Sequence, residues 1–126
     1  MSERTATLRI LLADDHVTVR HGLKLLIDTQ PDMKVISEAS DGKAAMQNAL
    51  ALKPDVIVMD ISMPGLNGLE LIAVCRELLP DLKTVLISGT AKIDELRSEV
   101  VQPDAFLAKP FLANDLLDIV SRLSKG

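Results

Sequence analysis

The sequence predicts an α/β domain, a doubly wound parallel sheet of five strands with helices on both faces. Three observations carry this expectation. Short apolar runs with strand character alternate from end to end with longer segments whose apolar residues recur at helical spacing. A Pro-Asp pair follows each of the first four helical segments, at Pro31-Asp32, Pro54-Asp55, Pro80-Asp81 and Pro103-Asp104, where a chain must stop being helical and turn into a strand. Finally, 126 residues with 48% apolar and 25% charged side chains have the size and composition of one folded unit, so residues 1–126 are read as a single domain.

The elements follow in order. Strands are expected over Leu8 to Ala13, Met33 to Ala39, Val56 to Met59, Thr84 to Ile87 and Ala105 to Ala108, each too short for a helix and several rich in Val and Ile. The first helix is marked by Val19, Leu23, Leu26 and Ile27, and the second by Ala45, Ala49 and Leu52. Leu71, Cys75, Leu78 and Leu79 mark the third, and Ile93, Leu96 and Val100 the fourth. Leu112, Leu116, Ile119, Val120 and Leu123 mark the fifth. Strict strand-helix alternation implies parallel strands, because each parallel pair needs a crossover, and right-handed crossovers cover both faces of the sheet.

Composition removes several function classes. The net charge of -4 disfavours a grip on nucleic-acid phosphates by this segment. Phe106 and Phe111 are the only aromatics, too few for base stacking. The lone Cys75 excludes an internal disulfide and a cysteine zinc cluster, fits a reducing compartment such as the cytoplasm, and reads as a small buried hydrophobe. No apolar run has the length of a membrane span, and the first seven residues lack the apolar core of a signal peptide.

In open parallel sheets the functional crevice lies beyond the carboxyl ends of the strands. There the first run leads into Asp14-Asp15, the third into Asp60, the fourth into Ser88 and the fifth into Lys109. Three carboxylates on one edge would repel by about 4 kcal/mol per pair at contact distance and intermediate dielectric, which implies a neutralising cation. Oxygen donors without a cysteine or a well-spaced histidine pair favour Mg²⁺ or Mn²⁺ over Zn²⁺. An open coordination position on such an ion invites a phosphoryl group. Asp60 is then placed as a carboxylate nucleophile toward phosphorus, with Lys109 and Ser88 as donors to the phosphoryl oxygens.

The segments Ile10-Leu-Leu-Ala-Asp-Asp15, Val56-Ile-Val-Met-Asp-Ile-Ser-Met-Pro-Gly65, Val85-Leu-Ile-Ser-Gly89 and Phe106-Leu-Ala-Lys-Pro-Phe111 together resemble the receiver domain of two-component response regulators. The resemblance runs over essentially the whole chain and implies a flavodoxin-like strand order 2-1-3-4-5. It implies that Asp60 accepts a phosphoryl group from a sensor histidine kinase or a phosphotransfer protein. Mg²⁺ would be held by Asp15, Asp60 and the backbone carbonyl of Ser62, with Asp14 acting through water. Ser88 and Lys109 would contact the phosphoryl oxygens, and Phe106 would be the aromatic that turns in the switch. Ser62 and Thr90 would flank the path of hydrolytic water, and the Lys109-Pro110 bond would be cis. Ser88 stands where many members have Thr, and Phe106 where Tyr is commoner. The stretch Asp14-Asp-His-Val-Thr-Val-Arg-His-Gly22 is similar to regulators that continue into a helix-turn-helix output domain, and a homodimer formed on phosphorylation is among the partners the resemblance allows.

Plainer readings stand beside these. Asp14 is also positioned to cap the first helix. His16 and His21 lie five apart, one more than shares a helical face, so they read as exposed polar residues with no metal role. Gly65 and Gly68 read as turn chemistry, and Met59 and Met63 as packing. Competing functions are a Mg²⁺-dependent phosphatase of the haloacid-dehalogenase type, a flavodoxin-like nucleotide binder and a receiver scaffold that has lost phosphorylation. The phosphatase would want an acid two residues after Asp60, where Ser62 stands, and the nucleotide binder would find its phosphate repelled by Asp14 and Asp15. The chain therefore reads as a signalling module whose only catalysis is self-directed phosphoryl transfer and autodephosphorylation.

Overall fold

The computed structural model describes residues 7–61 and 68–125. Strands and helices alternate as β1 (Leu8–Ala13), α1 (Val17–Asp28), β2 (Met33–Ala39), α2 (Gly42–Leu52), β3 (Val56–Asp60), α3 (Gly68–Leu78), β4 (Lys83–Gly89), α4 (Thr90–Leu96), β5 (Ala105–Lys109) and α5 (Ala113–Lys125). The strands form one sheet in the order β2-β1-β3-β4-β5, with every adjacent pair parallel. This is the doubly wound, flavodoxin-like fold expected from the sequence.

Alternation along the strands divides the core in two, because successive side chains leave opposite faces of a sheet. Leu11, Ala13, Ile57, Met59 and Leu86 pack with Ala45 of α2, Leu71, Ile72 and Cys75 of α3, and Leu96 of α4. Ile10, Leu12, Val56, Val58, Val85 and Ile87 pack with Ile27 of α1 and with Leu116 and Val120 of α5. Each fully buried aliphatic side chain contributes about 1.5–3 kcal/mol. β3 is buried along its whole length, which is why Asp60 arrives at the edge already surrounded by protein.

The Pro-Asp pairs do more than break helices. Asp55 accepts the Arg9 backbone N–H at 2.8 Å, and Asp104 accepts the Thr84 backbone N–H at 2.7 Å and its hydroxyl at 3.1 Å. Each aspartate thus stitches the entry of one strand to the start of its neighbour, at the edge opposite the polar strand ends. Arg9 adds a second tie, its guanidinium donating to the carbonyls of Leu52 at 2.7 Å and Lys53 at 2.8 Å, which α2 leaves open at its C-terminus. Lys53 itself takes the left-handed conformation, φ 49°, that ends the helix.

Several boundaries differ from the expected ones. β3 and β5 run one residue further, to Asp60 and Lys109, and β4 spans Lys83–Gly89, so Asp60, Ser88 and Lys109 are paired strand residues and not loop residues. α4 stops at Leu96, and Val100, expected on its apolar stripe, is 100% exposed. The chain turns away because Gln102 Nε2 donates at 2.7 Å to the carbonyls of Leu96 and Glu99, closing the helix end. Leu112 precedes α5 and is exposed, its backbone N–H taken by Asp115 at 3.0 Å as a helix-entry contact. Val19, Leu52 and Leu78 are likewise exposed, so the apolar stripes of their helices are narrower than the spacing suggested.

Candidate functional site

The polar strand ends meet at one edge of the sheet. Asp60, only 2% exposed, closes β3, and Lys109 closes β5. The Lys109 Nζ donates to Asp60 Oδ2 at 2.5 Å, across the intervening strand β4. The stem of Lys109 reaches inward while its side chain stays 42% exposed, so a buried carboxylate is met by an amine that solvent can still reach. Ser88 is buried on β4 and pairs with Ala108, the residue before Lys109. Thr90 opens α4 and is exposed. The Lys109-Pro110 bond is cis, as the resemblance implies.

Asp14 follows β1, whose last residue Ala13 pairs with Met59, the residue before Asp60. The two acids therefore leave neighbouring strands at the same level. Buried Asp14 accepts the His16 backbone N–H at 2.8 Å, and His16 Nδ1 lies 3.2 Å from Asp14 Oδ1 and 3.0 Å from Asp15 Oδ1. Ligand atoms of Asp14, Asp15 and His16 all lie within 4.8 Å of one another. His16 is 61% exposed, as expected, and His21 is exposed too, but His16 is not remote from the acids. Its place directly after the acidic pair is what brings it beside them.

These donors fit a hard divalent cation. Two carboxylates on a three-residue turn can present oxygens to one ion, and carboxylate oxygens are what Mg²⁺ and Mn²⁺ prefer. The protein's own cations nevertheless share the neutralisation, since Lys109 already answers the charge of Asp60. Ser62, Met63 and Gly65 lie outside the described residues, so the Ser62 carbonyl and its flanking role carry no geometry.

Phe106 lies half-buried on β5, packed against the core face that holds Leu86 and Leu96. The Arg97 guanidinium sits over its ring, 5.1 Å from the centroid, within the range of cation–π attraction. Arg97 was not singled out from the sequence, because nothing in the local pattern marks the partner of a ring on another element. The Cys75 thiol is buried on α3 and burial pushes its pKa up, away from the reactive thiolate, as the sequence suggested.

A parallel 2-1-3-4-5 sheet that gathers an acidic pair, a buried aspartate and a lysine at its carboxyl edge defines a class of flavodoxin-like domains with a charged, ion-ready rim. Within that class this chain belongs to the response regulator receiver domain family, whose model matches residues 10–121. It is similar to the transcriptional regulatory protein LiaR of Bacillus subtilis, at 39% identity over 122 residues, 94% of this chain and 57% of that protein. It is also similar to the response regulator VraR of Staphylococcus aureus, at 33% identity over 95% of this chain and 58% of that protein. The chain thus spans little more than half the length of these curated relatives. Among solved structures, the response regulator domain of Thermotoga maritima CheB matches with a TM-score of 0.83 at 34% identity, covering 95% of this chain and 98% of that one. The receiver domain of NarL from Mycobacterium tuberculosis matches with a TM-score of 0.86 at 27% identity, covering 97% and 99%.

Proposed function

We propose that this receiver domain accepts a phosphoryl group on Asp60 from the phosphohistidine of a sensor histidine kinase or phosphotransfer protein, in the cytoplasm, as one step of a two-component signal. The observation that carries the reading is the Lys109–Asp60 contact, which holds a carboxylate at the sheet edge beside a cation able to follow the new negative charge. An Asp60 oxygen attacks phosphorus, the nitrogen–phosphorus bond of the donor breaks, and the departing imidazole keeps the electron pair and takes a proton. Lys109 then pairs with a phosphoryl oxygen, and the Ser88 hydroxyl donates to another. Asp15, Asp60 and the Ser62 carbonyl would hold Mg²⁺, or Mn²⁺ in its place, with Asp14 acting through water. Such a cation, when bound, offsets the charge that gathers on the transferring group.

The added charge of about -1.5 to -2 draws Ser88 toward the phosphoryl group and lets Phe106 turn into the space vacated. The face of α4, β5 and α5 then changes shape, which is the surface for a downstream partner or a second copy of the chain. Apart from this self-directed transfer and its hydrolysis, the domain is a signalling module and not an enzyme. In a longer protein it would govern an output segment, and the name of the Bacillus subtilis relative supports a transcriptional one. The test is intact mass after incubation with acetyl phosphate and Mg²⁺. A gain of one phosphoryl group, absent in Asp60→Asn, is expected; a gain that persists in Asp60→Asn overturns the assignment.

A further inference from the structure

We infer that Arg20 is a positioning residue for the cation-binding turn, and that Glu38 is its charge-cancelling partner; this rests on the proposed divalent cation. Only three residues join β1 to α1, so the orientation of the Asp14 peptide decides where the next carboxylates point. The backbone of Asp14 is held on both sides of its Cα. Its N–H donates to the Ala39 carbonyl at 3.0 Å, and its carbonyl accepts Arg20 Nη1 at 2.6 Å. The same guanidinium donates through Nε to Glu38 Oε1 at 3.0 Å, so one planar fork ties α1, the end of β2 and the acidic turn together. The Arg20 side chain is only 15% exposed, and its backbone N–H is anchored on the His16 carbonyl at 2.9 Å, fixing the root of the fork as well as its tip.

A half-buried cation beside a cation site presents a conflict. Left uncancelled, the guanidinium would repel an incoming Mg²⁺ and raise the dissociation constant. Glu38 removes that conflict, letting the fork hold the turn without opposing the ion. Position and charge therefore predict opposite outcomes. If Arg20 acts by position, its removal weakens cation binding; if its positive charge dominates, removal strengthens it. Lysine carries the charge but lacks the fork, so it cannot serve both oxygens with the same geometry.

The experiment is Mn²⁺ binding to the whole chain by electron paramagnetic resonance, with Mg²⁺ as competitor, in wild type, Arg20→Met, Arg20→Lys and Glu38→Gln. Loss of a group that orients ligands costs about ten- to a hundredfold in metal affinity, and that loss is expected for Arg20→Met, with a smaller loss for Arg20→Lys and Glu38→Gln. Asp104→Asn, which weakens a tie at the opposite edge of the sheet, is the control for destabilisation alone and is expected to bind Mn²⁺ as wild type does. Affinity within twofold of wild type in Arg20→Met and Arg20→Lys, tighter binding in Arg20→Met, or an equal loss in Asp104→Asn overturns the inference. Absence of Mn²⁺ and Mg²⁺ binding in wild type removes the cation reading itself, and this inference with it.

Discussion

Lys109 and Asp60 form an asymmetric ion pair, in which the acid side chain is sealed and the base is half open to water. Removing the base therefore takes a charge partner from a buried carboxylate, whereas removing the acid leaves an amine that can turn to solvent. Lys109→Met is expected to destabilise the fold by about 1–3 kcal/mol, less than for a fully buried pair because the amine is already partly hydrated. Asp60→Asn should cost less, and the double variant should recover much of the loss seen in Lys109→Met. Urea unfolding of the three variants measures this, and a double variant no better than Lys109→Met contradicts it.

The Arg97 guanidinium over Phe106 makes the ring position a balance between a cation above and the core beneath. Phe106 has no hydroxyl to satisfy, so burying it further leaves no polar group without a partner. Two ring environments in exchange are expected before phosphorylation, with Arg97→Ala shifting the balance inward by removing about 0.5–1 kcal/mol of attraction. NMR of the labelled Phe106 ring reads both populations. One static environment, unchanged in Arg97→Ala, counts against the idea.

Thr90 opens α4 as a small exposed residue, and hydrolysis of an acyl phosphate on Asp60 needs a water in line with phosphorus. Neither Thr90 nor Ser62 carries a carboxylate or amide to orient that water, so access is expected to set the rate. Thr90→Leu and Ser62→Leu should lengthen the lifetime of the phosphorylated protein at saturating Mg²⁺, and Thr90→Leu should leave Mg²⁺ affinity near wild type. A decay time course checks this; unchanged or faster decay in both contradicts it.

At the end of α1, Asp28 accepts Lys24 Nζ at 2.8 Å and the Val35 N–H at 3.0 Å, and these contacts hold its carboxyl below the usual carboxylate range. A lowered folded pKa gives stability that is present above the ordinary value and lost as pH falls through the lowered one. The acid limb of the stability curve should therefore be shallower in Asp28→Asn, with the two proteins converging at the most acidic pH. The effect is small because the pair is solvent-exposed. Thermal unfolding from neutral to acidic pH reads it, and parallel curves would exclude the pair from that limb.

The layout of the fold was legible because periodicity and breakers are local. β1, β3, β4 and β5 announce themselves as apolar runs that end in a polar residue, which is also how Asp14, Asp60, Ser88 and Lys109 were found. Partners distant in sequence were not legible. Arg20 and Glu38 are separated by 18 positions and look like two ordinary surface charges until the β1–β2 pairing brings them together. Arg97 and Phe106 meet only through the turn after α4, whose early end the apolar spacing of Ile93, Leu96 and Val100 concealed. The contacts of His16 with Asp14 and Asp15 follow from the short turn between β1 and α1, which helical spacing to His21 does not register.

The aspartates of the Pro-Asp turns have a consequence for redesign. Asp55 with Arg9 and Asp104 with Thr84 stitch the rim where strands begin, while every residue proposed to do chemistry stands where strands finish. These two fastenings thus stand at the far end of the sheet from the proposed chemistry, whereas Lys109–Asp60 and the Arg20 fork belong to both framework and site. An engineer seeking a different ion preference or a longer-lived signal can rewrite exposed positions such as Thr90 at the edge where strands finish, keeping Arg20, Asp60 and Lys109, and leave the Asp55 and Asp104 fastenings untouched. The same substitutions placed beside Arg9 or Thr84 would spend their effect on loosening the structure.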